Sequence, residues 1–98
     1  MKLIWADQAI EDLADIWEYL IDEVSVQIAD AQVLRLQKEG EELLVFPTIG
    51  CKRDDLQKGL RSLKTGSYLI FYQVGTKSET VEILHVYHGH RDLEALFN

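Results

Sequence analysis

The segment Tyr68-Leu-Ile-Phe-Tyr-Gln-Val74 is almost wholly apolar, aromatic or β-branched and is bracketed by Gly66-Ser67 on one side and Gly75-Thr-Lys-Ser78 on the other. Such a run suits a strand with neighbours on both sides and at least one face covered, and glycine-bearing breaks supply its turns. Its flanks, Leu60-Arg61-Ser62-Leu63 and Thr80 to His88, complete a three-stranded antiparallel meander. Strict alternation along the third strand predicts Val81, Ile83, His85 and Tyr87 on one face and Glu82, Leu84, Val86 and His88 on the other.

The preceding half of the chain has the period of helices. Ile10, Leu13, Ala14, Trp17, Leu20, Ile21 and Val24 recur at three- and four-residue spacing after Asp7, a candidate N-cap. Glu11, Asp12, Asp15, Glu18 and Asp22 occupy the opposite face. Ser25 is a second candidate cap, followed by Ala29, Val33, Leu36, Gly40 and Leu43 as the stripe of a second helix that ends before Phe46-Pro47. So short a link makes the two helices an antiparallel hairpin. Gly40, costly inside a helix, marks a close approach between helices. Lys2-Leu3-Ile4-Trp5 reads as an edge strand, Thr48 to Gly59 as a polar connection, and Asp92 to Asn98 as a short amphipathic tail. The expected fold is α+β: an N-terminal strand, then an antiparallel helical hairpin packed on one face of a three- to four-stranded antiparallel sheet, with the other sheet face partly open.

With 98 residues there is room for one domain, residues 1–98. The single cysteine, Cys51, forms no internal disulfide, and no apolar run reaches the roughly 20 residues of a membrane span, so a cytoplasmic protein is expected. The net charge of −7 is unevenly placed. Residues 1–50 hold eleven acids against Lys2, Arg35 and Lys38, whereas residues 51–98 hold six acids against seven bases. A free-standing nucleic-acid binder carries a basic excess, so direct nucleic-acid binding is not expected. The acids are either solvated helix faces or a surface that favours a basic partner.

His85, His88 and His90 suggest a metal, but His85 and His88 fall on opposite sides of a strand and no Cys or carboxylate pattern completes a set; no metal and no cofactor is expected. Cys51 has no sequence sign of a partnered base. Arg61, His88, His90 and Arg91 converge if the meander forms, offering cations for a phosphorane and a histidine for proton transfer. The plainer alternative pairs Arg61 or Arg91 with Glu82 or Asp92 and leaves the histidines as strand caps.

Taken in order, Leu60-Arg61-Ser62-Leu63, Gly66-x-Tyr68-Leu-Ile-Phe-Tyr72, Val81-Glu-Ile-Leu84 and His88-Gly-His-Arg91-Asp92 resemble the ParE toxins of the RelE/ParE superfamily, the toxic halves of bacterial type II toxin–antitoxin modules. Ala9, Asp12-Leu13, Ile16, Tyr19-Leu20, Ala29 and Phe46-Pro47-x-x-Gly50 extend the likeness over nearly the whole chain. The resemblance implies a small α+β toxin neutralised by a ParD-like antitoxin whose C-terminal region wraps around it. ParE toxins act on DNA gyrase, whereas RelE-like members cleave messenger RNA on the ribosome, and a shared fold does not choose between them. RelE-like nucleases carry an arginine where this chain has Leu69 and commonly a tyrosine where it has Phe97. Leucine cannot stabilise phosphate charge and phenylalanine has no hydroxyl, so a non-enzymatic gyrase inhibitor is expected, with a ribosome-dependent nuclease or a non-toxic interaction module as the alternatives. Arg61, His88, His90 and Arg91 are the expected functional surface. Trp17, Leu20, Glu11, Asp15 and Glu18 are the expected antitoxin contacts, met by an amphipathic partner helix that carries basic residues.

Overall fold

A computed structural model describes residues 1–89 and Phe97. Strand β1 (Lys2–Trp5) leads into helix α1 (Asp7–Glu23), helix α2 (Val26–Glu42), the short strand β2 (Cys51–Lys52), and the strands β3 (Arg61–Thr65), β4 (Tyr68–Gly75) and β5 (Thr80–His88). The two helices pack on a five-stranded mixed sheet of order β1-β5-β4-β3-β2. The α+β fold with its helical hairpin is therefore as expected, while the sheet is larger and not wholly antiparallel. β1 runs parallel to β5, from Lys2 opposite Thr80 to Trp5 opposite Ile83, because α1 and α2 carry the chain back over the sheet before the meander begins. β2 adds the fifth strand inside the stretch expected to be a loop, with Cys51 opposite Ser62 and Lys52 opposite Arg61. The expected tail from Asp92 to Asn98 lies, apart from Phe97, outside the described residues.

Local chemistry explains the helix boundaries. Ser25 caps α2, its hydroxyl accepting a hydrogen bond from the backbone N–H of Ile28 at 3.2 Å. Asp7 is the first residue of α1 rather than its cap; Ala6 takes the cap position without a side-chain bond, and the Asp7 charge sits in the first turn, where a helix favours an anion. Gly40 marks a close approach, but to the sheet rather than to the other helix. A Cβ there would lie 2.7 Å from the Trp5 ring and 2.9 Å from Ile83 Cδ1. α2 is also tied to β3, whose Thr65 hydroxyl hydrogen-bonds Glu39.

One irregularity decides which side chains share a face. The pairing of β4 with β5 jumps from Phe71–His85 to Tyr72–Ile83, leaving Leu84 as an extra residue in β5. Such a bulge moves every later side chain to the other side. Val81 and Ile83 therefore join the core beneath the helices with Leu13, Leu36, Ile70 and Tyr72, and after the bulge Val86 continues that core. Tyr87 goes to the opposite face, with Leu60, Phe71, Leu84 and Phe97. The expected grouping of His85 and Tyr87 with Val81 and Ile83 is thus corrected: no local pattern announces a bulge.

Two core tyrosines give the fold an alkaline limit. Burial pushes the hydroxyl of Tyr72 above its usual value of 10.0, with the Gly50 hydrogen bond acting the other way, and burial also raises Tyr68, helped by neighbouring Tyr19. Both groups hold their protons in the folded chain at a pH where the unfolded chain releases them. Their contribution is therefore complete below about pH 10 and is lost as pH rises through the raised values. Urea midpoints should fall between about pH 9 and pH 11, and fall less steeply in Tyr72→Phe, whose remaining position has no proton to lose.

Candidate functional site

The expected cluster of Arg61, His88, His90 and Arg91 does not form among the described residues. Arg61 opposes Tyr72 and His88 opposes Tyr68, so they stand four residues apart along β4, roughly 13 Å, on strands to either side of it. His90 and Arg91 lie outside the described residues. Arg61 makes neither the expected ion pair with Glu82 nor an open cationic surface: its Nη1 donates to the carbonyls of Gly50 at 2.9 Å and Thr48 at 3.3 Å. Tyr72 holds the same loop, donating its hydroxyl to Pro47 O at 2.8 Å and accepting from Gly50 N at 2.9 Å. His88 ends β5 with its ring edge-on to Tyr68, centroids 5.4 Å apart.

The expected antitoxin contacts are divided between two grooves that flank α1. The larger, about 620 Å³, lies between α1, the start of α2 and the ends of β4 and β5. α1 lines it with Asp12, Asp15, Ile16, Tyr19 and Leu20, α2 with Ile28 and Gln32, and the sheet with Tyr68, Val86 and His88. Gln32 Nε2 is buried there without a hydrogen-bond partner among the described residues. The second groove, about 460 Å³, runs along the hairpin's other side and includes Trp17. Glu11 and Glu18 line neither; they are exposed on the α1 surface between them.

Asp12 anchors the floor of the larger groove. β1 covers the edge of β5 only as far as Ile83, so the next edge N–H groups face α1 instead of a strand. Asp12, 7% exposed, fills the gap: Oδ2 accepts from Val86 N at 3.0 Å, and Oδ1 accepts from Gln8 Nε2 at 3.0 Å. His85 Nδ1 approaches the same carboxylate at 3.7 Å and is hydrogen-bonded to the Tyr87 hydroxyl at 2.8 Å. Sequence reasoning missed both this strut and the lining residues Ile28 and Gln32. The sequence placed Asp12 on the acidic face of α1, yet it lies in one row with buried Ala9 and half-buried Ile16, about one turn to either side.

On the face away from the helices, Leu69 stands opposite Tyr87 and Lys64, and its neighbours are Leu60, Phe71, Leu84 and Phe97. The Phe97 ring lies edge-on to Phe71 at 5.0 Å and to His85 at 5.4 Å. This surface is apolar and aromatic.

Residues 3–93 match the family described as the ParE toxin of the type II toxin–antitoxin system, parDE. The chain is a member of the ParE toxin family. It is 33% identical over 78 residues to Toxin ParE1 of Caulobacter vibrioides, an alignment covering 80% of this chain and 81% of that toxin. In fold, this ParE-type toxin is similar to a chain of the chromosomal ParDE system of P. aeruginosa, with a TM-score of 0.78 and 20% identity over 90% of this chain and 95% of that one. It is also similar to a chain of the RelBE2 toxin–antitoxin complex of Mycobacterium tuberculosis, with a TM-score of 0.62 and 22% identity over 89% and 95% of the two chains. Chains of the ParDE and RelBE2 toxin–antitoxin systems therefore share this architecture.

Proposed function

We propose that this ParE-type toxin inhibits DNA gyrase without covalent chemistry and is neutralised by a cognate, ParD-like antitoxin seated in the groove of Leu20 and Asp15. The observation that supports non-enzymatic action is the apolar surface around Leu69 and Phe97, where a strand-borne arginine and a C-terminal hydroxyl would be needed to stabilise and protonate a cleaving phosphodiester. The acidic balance, −7 overall, agrees with a protein rather than RNA as target.

Neutralisation by a wrapped segment fits the larger groove. Ile16, Leu20, Ile28 and Tyr68 supply apolar anchors for a partner helix, Asp12 and Asp15 favour basic residues on it, and Gln32 Nε2 awaits an acceptor that a partner carbonyl provides. The solved ParDE system and RelBE2 complex supply precedents for such pairing on this fold.

The test is direct. Induced expression should arrest growth, and the purified toxin should inhibit supercoiling by gyrase while leaving ribosome-bound messenger RNA intact. Ribosome-dependent cleavage of that RNA would establish the nuclease alternative, and unaffected growth would establish an interaction module without toxicity.

A further inference from the structure

We propose that the loop between α2 and β2 is the contact surface of a homodimer, in which two copies of this chain bury Val45, Phe46 and Ile49 against each other across a two-fold axis. These side chains are 69%, 61% and 60% exposed, and none of them lines either groove beside α1. Large apolar residues scattered singly over a surface are ordinary, but three within five residues make a patch. A tight turn with Pro47 at its second position draws Phe46 and Ile49 together, closed by the bond from Ile49 N to Phe46 O at 3.2 Å.

The loop is held open from beneath. Tyr72 and Arg61 reach up from the sheet to bond backbone atoms of Pro47, Thr48 and Gly50, and each of these bonds leaves the neighbouring side chains outside. A loose loop of this composition would turn its phenylalanine and isoleucine onto the body of the protein. A fixed one cannot, so only a second molecule removes that surface from water, and it does so without the cost of ordering the loop.

The charges on either side say which molecule. Glu41 and Glu42, both exposed, lead into the loop from α2, whose last turn has no basic residue. Lys52, exposed on β2, leads out of it, while Arg53 is taken up by Asp55 at 3.2 Å. A patch with one acidic and one basic flank is self-complementary. A two-fold axis through Phe46 and Ile49 sets Glu41 and Glu42 of each copy beside Lys52 of the other, whereas a uniformly charged partner would meet like charge on one flank. Lys52 also sits on the edge strand of the sheet, where its charge opposes pairing of β2 with β2, so the contact is made by side chains. The patch is small and each copy carries −7, so the association is weak, with a dissociation constant on the order of 10–100 µM.

Sedimentation equilibrium of the purified chain under reducing conditions, from roughly 1 to 500 µM, should show a reversible monomer–dimer equilibrium. Phe46→Ser with Ile49→Ser should raise the dissociation constant at least about tenfold and leave the circular dichroism spectrum unchanged, since both side chains are exposed. Charge reversal tests the symmetry. Lys52→Glu alone, and Glu41→Lys with Glu42→Lys alone, should each stay monomeric because every flank then meets its own sign. Mixed in equal amounts the two proteins should associate, since both flanks attract again. Cys51, the single cysteine, is exposed beside the patch, so a short bismaleimide should join two copies of the wild type but not of the serine double variant. A monomer throughout the range would overturn the inference. So would a dimer indifferent to the two serines, or charge-reversed proteins that associate no better mixed than apart. A monomer whose growth arrest disappears with the serine substitutions would assign the patch to the toxin's target instead. Sedimentation reads neither growth nor gyrase, so this inference and the toxin reading fail separately.

Discussion

Alanine at Gly50 is expected to destabilise the toxin by about 2–4 kcal/mol, lowering the melting temperature by roughly 10–25 °C. Gly50 is buried where the chain leaves the helices for β2, and an added Cβ would lie 2.6 Å from the Tyr72 hydroxyl oxygen and 2.8 Å from Ser62 O. The Ser62 carbonyl belongs to a paired strand and cannot swing aside, so the loop itself must shift. That movement breaks the Tyr72 bonds to Pro47 and Gly50 together with the Arg61 bond to Gly50 O. The double variant Gly50→Ala with Tyr72→Phe removes the nearer obstacle and should recover part of the loss relative to the sum of the single variants, while the Ser62 contact keeps the rescue incomplete. Thermal unfolding of the four proteins of this cycle checks the result; simple additivity would mean that the hydroxyl and the new methyl never meet.

Asp12→Ala should cost about 2–3 kcal/mol, since it strands the buried Val86 N–H and removes the Gln8 bond. Asp12→Asn keeps a carbonyl oxygen for Val86 and should cost about 1 kcal/mol. Hydrogen exchange separates a local strut from a global one. The Val86 amide should lose most of its protection in Asp12→Ala and little in Asp12→Asn, while amides of β3 change only as far as global stability requires. The same substitution loosens the floor of the groove assigned to the antitoxin, so the complex should dissociate faster even where the toxin remains folded.

The meander and the hairpin were legible because each is written locally. Tyr68–Gly75 is an unbroken β-forming run between glycine turns, and Ser25 both ends one helix and caps the next. What was not legible depends on residues far away in sequence. Four residues of β1 carry no signal of parallel pairing, because that orientation is decided by the path of the two intervening helices. β2 is two residues long and exists because Arg61 and Tyr72 hold the preceding loop in place. The extra residue Leu84 turns His85 and Tyr87 to the other face without any change in the hydrophobic pattern. The site followed the same rule. Leu69 and Phe97 were recognisable as residue types, and the acidic row of α1 as a charge pattern, but an arginine in a sequence does not reveal that backbone carbonyls will occupy it. Arg61 was expected either in a cationic cluster or in an ion pair with a carboxylate, and backbone carbonyls as its partners were not foreseen for that reason.

The parallel pairing of β1 with β5 also constrains when this toxin can become itself. Residues 2–5 must wait for residues 80–83 before they find a partner, and α1 must wait for Val86 to place its buried carboxylate. Contacts so distant along the chain are slow to form and give a folding reaction with little local reward. During synthesis the central strand β4 emerges with only one long neighbour, and the sheet stays incomplete until residue 88 has been made. Until then the apolar strands and the acidic helices are exposed together on a nascent, inactive chain. An inhibitor present during translation therefore meets this chain before the chain has a finished surface with which to act.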